Sequence, residues 1–300
     1  MTEFAVRNYR PEVETDFLAV KEMLGDMYVE AQDNRQQLGR FSTALPSSTL
    51  LCVDARDENS ILGTLHLTDS FEPGLLARNY ENTNFGPEVR QKVRETLFKA
   101  GFEEFRRRGH RRATLLLDYD KDVGERLAEL ERYGLSDPIP CSSYVRPLRA
   151  EDTLLAADVS GSKYVQIRPY NPRVDFRAFT NHLFNAGALG HMDTRTILRG
   201  YVEREPTSVV VAAKVDTDQI VGSLRIPHGP IPLIGNLTIE LNFSNPEMVE
   251  AALHAFAFGA LLKRGMTQIE KIGIPGLPSY ERGFSEMWPL IQVTKTLVEI

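Results

Sequence analysis

VRNYRPEVETDF, residues 6–17, returns in altered form as IRPYNPRVDF, residues 167–176. Arg7, Tyr9, Pro11, Val13 and Phe17 align with Arg168, Tyr170, Pro172, Val174 and Phe176, and the offset falls from 161 to 159 because the spacer after Val13 is longer. Self-similarity at a long, steady offset is the signature of a duplicated folding unit. The blocks that follow keep step. LLCVDARDENSILGTLHL (50–67) matches VVVAAKVDTDQIVGSLRI (209–226), with Gly63 over Gly222 at an offset of 159. Each reads as an aliphatic strand, a polar turn and a second strand, which predicts a β-hairpin. Asn84-Phe85 then meets Asn242-Phe243 at an offset of 158, and a Pro-Glu pair follows in both halves.

Two long helices come next, ETLFKAGFEEFRRRG (95–109) and AALHAFAFGALLKRG (251–265). In each, apolar residues recur at helical spacing, basic residues sit in the last turn and a glycine stops the run. The second is apolar almost all round, which predicts a helix covered on more than one side. After each glycine stands a further strand, RRATLLLDYD (111–120) or TQIEKIGI (267–274). The repeat therefore predicts two α+β domains, residues 1–150 and 163–300, each a mixed and mostly antiparallel sheet flanked by helices. The polar stretch RAEDTLLAADVSGSK (149–163) supplies the linker, 151–162.

Composition narrows the partners. With 300 residues, 42% hydrophobic and 25% charged, the chain can bury a core in each of two domains. A net charge of −6 gives no general attraction to nucleic acid or anionic membrane. Cys52 and Cys141 form neither a disulfide framework nor a zinc-binding spacing, and no metal-ligand cluster stands in the sequence. The opening MTEFAVRNYRPE lacks the apolar core of a signal peptide, and no apolar run reaches the roughly 20 residues that span a bilayer. These features lead to the expectation of a cytoplasmic protein with no membrane and no nucleic-acid partner.

Each half runs strand, helix, hairpin, strand, long helix, strand, short helix, strand. That order, with the Ile-Arg-Pro opening of residues 167–169 and the Val-Gly step of residues 221–222, resembles the GNAT superfamily of N-acetyltransferases in tandem form. The resemblance implies that the fourth strand of a unit splays from the fifth and that an acyl-CoA co-substrate, acetyl-CoA or another, lies in the gap. It also implies a Gln/Arg-x-x-Gly-x-Gly/Ala loop whose backbone amides open the long helix and hold the pyrophosphate.

Both loops depart from that pattern. GPEVRQKVRETL (86–97) has no glycine where the loop requires one, though Arg90, Gln91, Lys92 and Arg94 offer side-chain donors to a phosphate. The same charges also fit a solvated first turn. In NFSNPEMVEAAL (242–253), Asn245 reads as an N-cap, Pro246 as the first helical residue, and Glu247 and Glu250 as carboxylates at the positive helix end. Carboxylates there repel a pyrophosphate, by about 1 kcal/mol per close pair in high dielectric.

For the chemistry, the resemblance implies a carboxylate on the fourth strand as base and a tyrosine near the last helix as acid. Glu240 in NLTIELNF and Tyr280 in SYERGF (279–284) take those places, although alternation along the strand also allows Glu240 simply to face water. The first half has Asn82 opposite Glu240, with Glu81 beside it, and in LERYGLSD (130–137) Leu130 fills the tyrosine slot with Tyr133 a turn later. His66 and His228 lie on or beside hairpin strands, and His191, Asp193 and Thr194 in a loop before a helix. The reading is an acyl-CoA-dependent N-acyltransferase that transfers an acyl group, acetyl first among them, to a small-molecule amine, with at most one working half. Its alternative is a catalytically degenerate pair that binds a metabolite, an acyl-carrier thioester or a protein partner. A homodimer stays open.

Overall fold

The computed structural model describes residues 3–24, 46–68, 74–82, 84–152, 164–186, 202–203, 206–226, 235, 237–240, 242–273 and 283–297. The first half runs β1 (Phe4–Asn8), α1 (Glu14–Leu24), β2 (Thr49–Asp54), β3 (Asp57–Thr68), β4 (Gly74–Glu81), α2 (Pro87–Arg107), β5 (Arg112–Asp118), α3 (Val123–Glu131) and β6 (Ser136–Pro147). The second runs β7 (Val165–Pro169), α4 (Phe176–Asn185), β8 (Val209–Lys214), β9 (Ile220–Arg225), β10 (Leu237–Ile239), α5 (Pro246–Lys263), β11 (Gln268–Gly273) and β12 (Ser285–Thr296). The fold is α+β, and β4 with β5 is the one parallel pair among the described strands.

The aligned blocks occupy equivalent places. In the hairpins Cys52 faces Gly63 and Ala212 faces Gly222. At Gly222 a Cβ would stand 2.5 Å from Val249 Cγ1 of α5, so the helix lies almost on the strand's backbone. Both long helices end where a glycine takes positive φ, 88° at Gly109 and 79° at Gly265, the left-handed closure that a side chain resists. The opening phrase proves to be an ion-pair motif. Arg7 gives its two terminal nitrogens to Asp16 at 2.6 and 2.7 Å, and Arg168 does the same to Asp175 at 2.6 and 2.8 Å. Each carboxylate also accepts a main-chain N–H, from Arg10 or Asn171, so the pair pins a strand to the helix that follows. Burial would raise the Asp16 pKa, but the bonds from Arg7 and Arg10 outweigh it and hold the carboxyl below its usual range.

A third copy of this motif closes β6, where Arg146 meets Asp152 at 3.0 and 2.5 Å and Asp152 also accepts the Arg149 N–H. The sequence reading passed over it, although Val145-Arg146-Pro147 repeats the Ile167-Arg168-Pro169 phrase.

The last strands are exchanged between the halves. The larger sheet has the order β1-β2-β3-β4-β5-β12-β6-β11, and the smaller one β10-β9-β8-β7. Thus β12 lies against β5 of the first half, β6 lies against β11 of the second, and β6 and β12 pair with each other. Cys141 and Leu290, each the sixth residue of its strand, are Cα partners, so the centre of this ribbon acts as a local two-fold. Each core is shared accordingly. Ile291, Val293 and Leu297 join the apolar cluster under α2, while Tyr144 and Leu148 join the one under α5. One continuous sheet thus spans both repeats, and residues 153–162 of the expected linker lie outside the described residues.

Candidate active site

The two fourth strands leave their sheets differently. In the first half β4 pairs with β5 over Gly74–Leu76 against Ala113–Leu115, and no pairing continues to Glu81 and Asp118, which leaves a wedge. In the second half, among the described residues, β10 pairs with β9 alone and β11 with β6 alone, so both present an unpaired edge. Leu237 and Ile239 of β10 and Ile269 of β11 nonetheless pack in one apolar cluster. Unpaired backbone edges beside an apolar floor suit an extended, amide-bearing chain, which pairs as an added strand does.

Glu240 stands at the end of the β10 edge. Its main-chain N–H bonds to Val221 O at 2.9 Å and its carbonyl accepts from Phe243 at 3.1 Å. Asn82 makes the matching bonds to Leu62 O and from Phe85, which confirms the two as structural equivalents. Their side chains differ in use. Asn82 Oδ1 closes a turn by accepting the Asn84 N–H. The Glu240 carboxylate is held by two amides: Asn185 Nδ2 donates to Oε1 at 3.0 Å, and Gln219 Nε2 lies 3.3 and 3.2 Å from the two oxygens. Gln219 is itself oriented, since its Oε1 accepts from Lys214 Nζ at 3.0 Å. Sequence reading missed Asn185 and Gln219. Behind them His182 is buried, with Nε2 3.1 Å from Ser223 Oγ.

Arg90, Gln91, Lys92 and Arg94 all lie on α2 of the other half, and no described contact brings them to Glu240. Gly86 caps α2 without a side-chain hydrogen bond, and Pro87 follows, so this helix start is open to an anion. Gln91 and Lys92 are exposed, and the half-buried Arg90 has a buried Nε with no acceptor among the described residues. Arg94 is engaged elsewhere. It grips Glu81 through Nε and Nη2 at 2.5 and 2.9 Å and Glu129 through Nη1 at 2.6 Å, clamping the end of β4 to α3. In the second half Asn245 caps α5 by accepting the Met248 N–H at 3.1 Å, with Glu247 in the first turn, as the sequence led one to expect. A pyrophosphate therefore fits the α2 start better than the α5 start.

Tyr280, His191, Asp193, Thr194 and His228 lie outside the described residues. His66 is buried, with Nδ1 3.1 Å from Thr49 Oγ1. Tyr133 packs edge-on against Phe98, and burial followed by the nearby Glu129 raises its pKa, which keeps the phenol protonated. Burial also pushes the thiols of Cys52 and Cys141 up to about 12 and about 11, which makes poor nucleophiles of both. Among the described residues no group of three or more His, Cys, Asp or Glu could hold a metal ion, and no helix is long and apolar enough to cross a membrane.

No family model matches the chain, and no curated protein matches it. Solved structures do. A GCN5-related N-acetyltransferase from Sphaerobacter thermophilus is 14% identical, with a TM-score of 0.54 over 99% of this chain and 96% of that one. A tandem GNAT protein from the clavulanic acid biosynthesis pathway is 13% identical, with a TM-score of 0.52 over 99% of this chain and 100% of that one. Saccharomyces cerevisiae N-myristoyltransferase, solved with bound myristoyl-CoA, is 9% identical, with a TM-score of 0.52 over 98% of this chain and 78% of that one. The chain thus has the tandem GNAT fold.

Proposed function

We propose that the chain is an acyl-CoA-dependent N-acyltransferase whose working half is the second. The observation that carries this is Glu240, a carboxylate oriented by two side-chain amides at the end of β10, whose outer edge is unpaired among the described residues. The donor supplies an activated thioester carbonyl. As the nitrogen of a small amine attacks it, Glu240 takes the proton that nitrogen loses; the C–S bond breaks as the C–N bond forms, and Tyr280 gives its proton to the departing sulfur. Gln219 and Asn185 hold the carboxylate toward the acceptor without neutralising it, since both are uncharged. The solved structures of similar fold, one carrying myristoyl-CoA, support a CoA thioester as donor, and acetyl-CoA is the donor to try first.

A second reading is favoured by the uncapped start of α2 and the buried Arg90 Nε: the donor sits in the first half, with Arg90 and Lys92 on its phosphates. Two substitutions separate the readings. Glu240→Gln lowers kcat at least about a hundredfold under the first reading, the scale on which general bases act. Reversing charge at Arg90 and Lys92 lowers acetyl-CoA affinity about tenfold or more under the second, and leaves it unchanged under the first. Turnover that survives Glu240→Gln removes the first reading, and absence of both binding and turnover points to a degenerate pair.

A further inference from the structure

We propose that His182 is a positioning residue for Glu240: it pins the last turn of α4 to β9, the strand that β10 pairs with, and so sets the Asn185 amide on the carboxylate. The proposal rests on Glu240 as the base. Asn185 is exposed and ends a helix of 10 residues, where fraying is expected. Its neighbour Phe184 is 70% exposed. The inward residues of that turn are His182 and Leu183, at 0% and 2% exposure. His182 Nε2 reaches Ser223 on β9, the strand that starts directly after Gln219. Ser223 is in turn the Cα partner of Thr238 on β10, two residues before Glu240. One imidazole therefore ties the helix end that carries Asn185 to β9, which follows Gln219 and pairs with the strand that leads to Glu240.

Burial lowers the His182 pKa to about 4, against the opposing pull of Glu240 and of the Thr238 backbone, so the ring is neutral at pH 7. Its surroundings are Ser223 from β9, Thr238 and Glu240 from the β10 side, and the Phe179 ring, 6.0 Å away on its own helix. Glu240 is the charged group among them. A neutral ring, anchored through Nε2 to Ser223 and with Nδ1 buried without a hydrogen-bond partner among the described residues, holds geometry without adding charge next to the carboxylate.

The test is a double-mutant cycle in the full chain, with acetyl-CoA and an amine acceptor. His182→Asn and Ser223→Ala each lower kcat about tenfold or more with the KM for acetyl-CoA held, and neither adds to the loss in Glu240→Gln, because residues acting as a unit are not additive. Full additivity in the Glu240→Gln background, or a raised KM with kcat intact, overturns the proposal. A second readout needs no activity. The His182 imidazole, followed by nitrogen NMR, titrates lower still in Glu240→Gln, since the charge that favours its protonation is gone. An unmoved midpoint overturns the proposal whatever the kinetics show. A moved midpoint with full turnover in Glu240→Gln instead overturns the reading of Glu240 as the base.

Discussion

Acidification from pH 7 to 4.5 costs this protein stability through one buried group that stays neutral in the folded chain. His182 is 0% exposed and its pKa falls from 6.5 to about 4, with burial the chief cause. The unfolded chain binds a proton as pH drops below 6.5, whereas the folded chain resists until near 4, so between those values the unfolded state carries more protons. Stability must then fall as pH falls, by about 1.4 kcal/mol per unit at most. Through pH 4.5 this amounts to about 2 kcal/mol, and full protonation at lower pH brings it to about 3 kcal/mol. The assay is urea unfolding at pH 7.0 and 4.5 of the wild-type chain and His182→Asn. The variant starts less stable, because the smaller side chain leaves space, but it lacks this part of the slope. Carboxylates such as Asp16, Asp152 and Glu104, held low by arginines against the effect of their burial, lose their contribution mainly at lower pH. They do so alike in both proteins. An identical drop from pH 7.0 to 4.5 in wild type and variant would refute the reasoning.

Three further outcomes follow from the packing. Arg94→Ala leaves Glu81, whose side chain is 9% exposed, without its bidentate partner; a loss of about 1–3 kcal/mol in urea unfolding is expected, below the fully buried case because Arg94 is 27% exposed. Gly222→Ala drives a methyl into Val249 Cγ1 and lowers stability by about 1–3 kcal/mol, read as a lower thermal midpoint; an unchanged midpoint contradicts the close approach of α5 to β9. Deleting residues 285–300 removes β12 from between β5 and β6 and strips Ile291, Val293 and Leu297 from the first half's core. The first half then fails to fold as a monomer, and a well-folded monomer by circular dichroism and size-exclusion chromatography contradicts the exchanged sheet.

Much of the architecture was legible because duplication writes the same local physics twice. The hairpins follow from aliphatic strands around polar turns, and the helix ends from Gly109 and Gly265, whose positive φ needs no side-chain compromise. The strand exchange was not legible. SDPIPCSSYVRP and SEMWPLIQVTKT both carry Ser first and Pro fifth, and nothing local in either names its sheet, which long-range packing decides. The Arg146–Asp152 pair is readable from its Arg-Pro phrase, but it straddles the expected end of the first repeat at residue 150. For the site, the place of Glu240 came from alignment with Asn82. Its partners did not, since Asn185 and Gln219 lie 55 and 21 positions away and meet it only through the fold. Arg94 shows the limit of reading charge from sequence: a cation near a helix start suits phosphate, but Arg94 is the eighth residue of α2, and two carboxylates from β4 and α3 take its donors.

The most direct test is calorimetric titration of acetyl-CoA into the full chain. One equivalent bound with micromolar affinity, within the range usual for enzyme substrates, is the predicted result, with Glu240→Gln binding alike while losing turnover. No heat and no thermal shift with acetyl-CoA or a longer acyl-CoA would contradict the account.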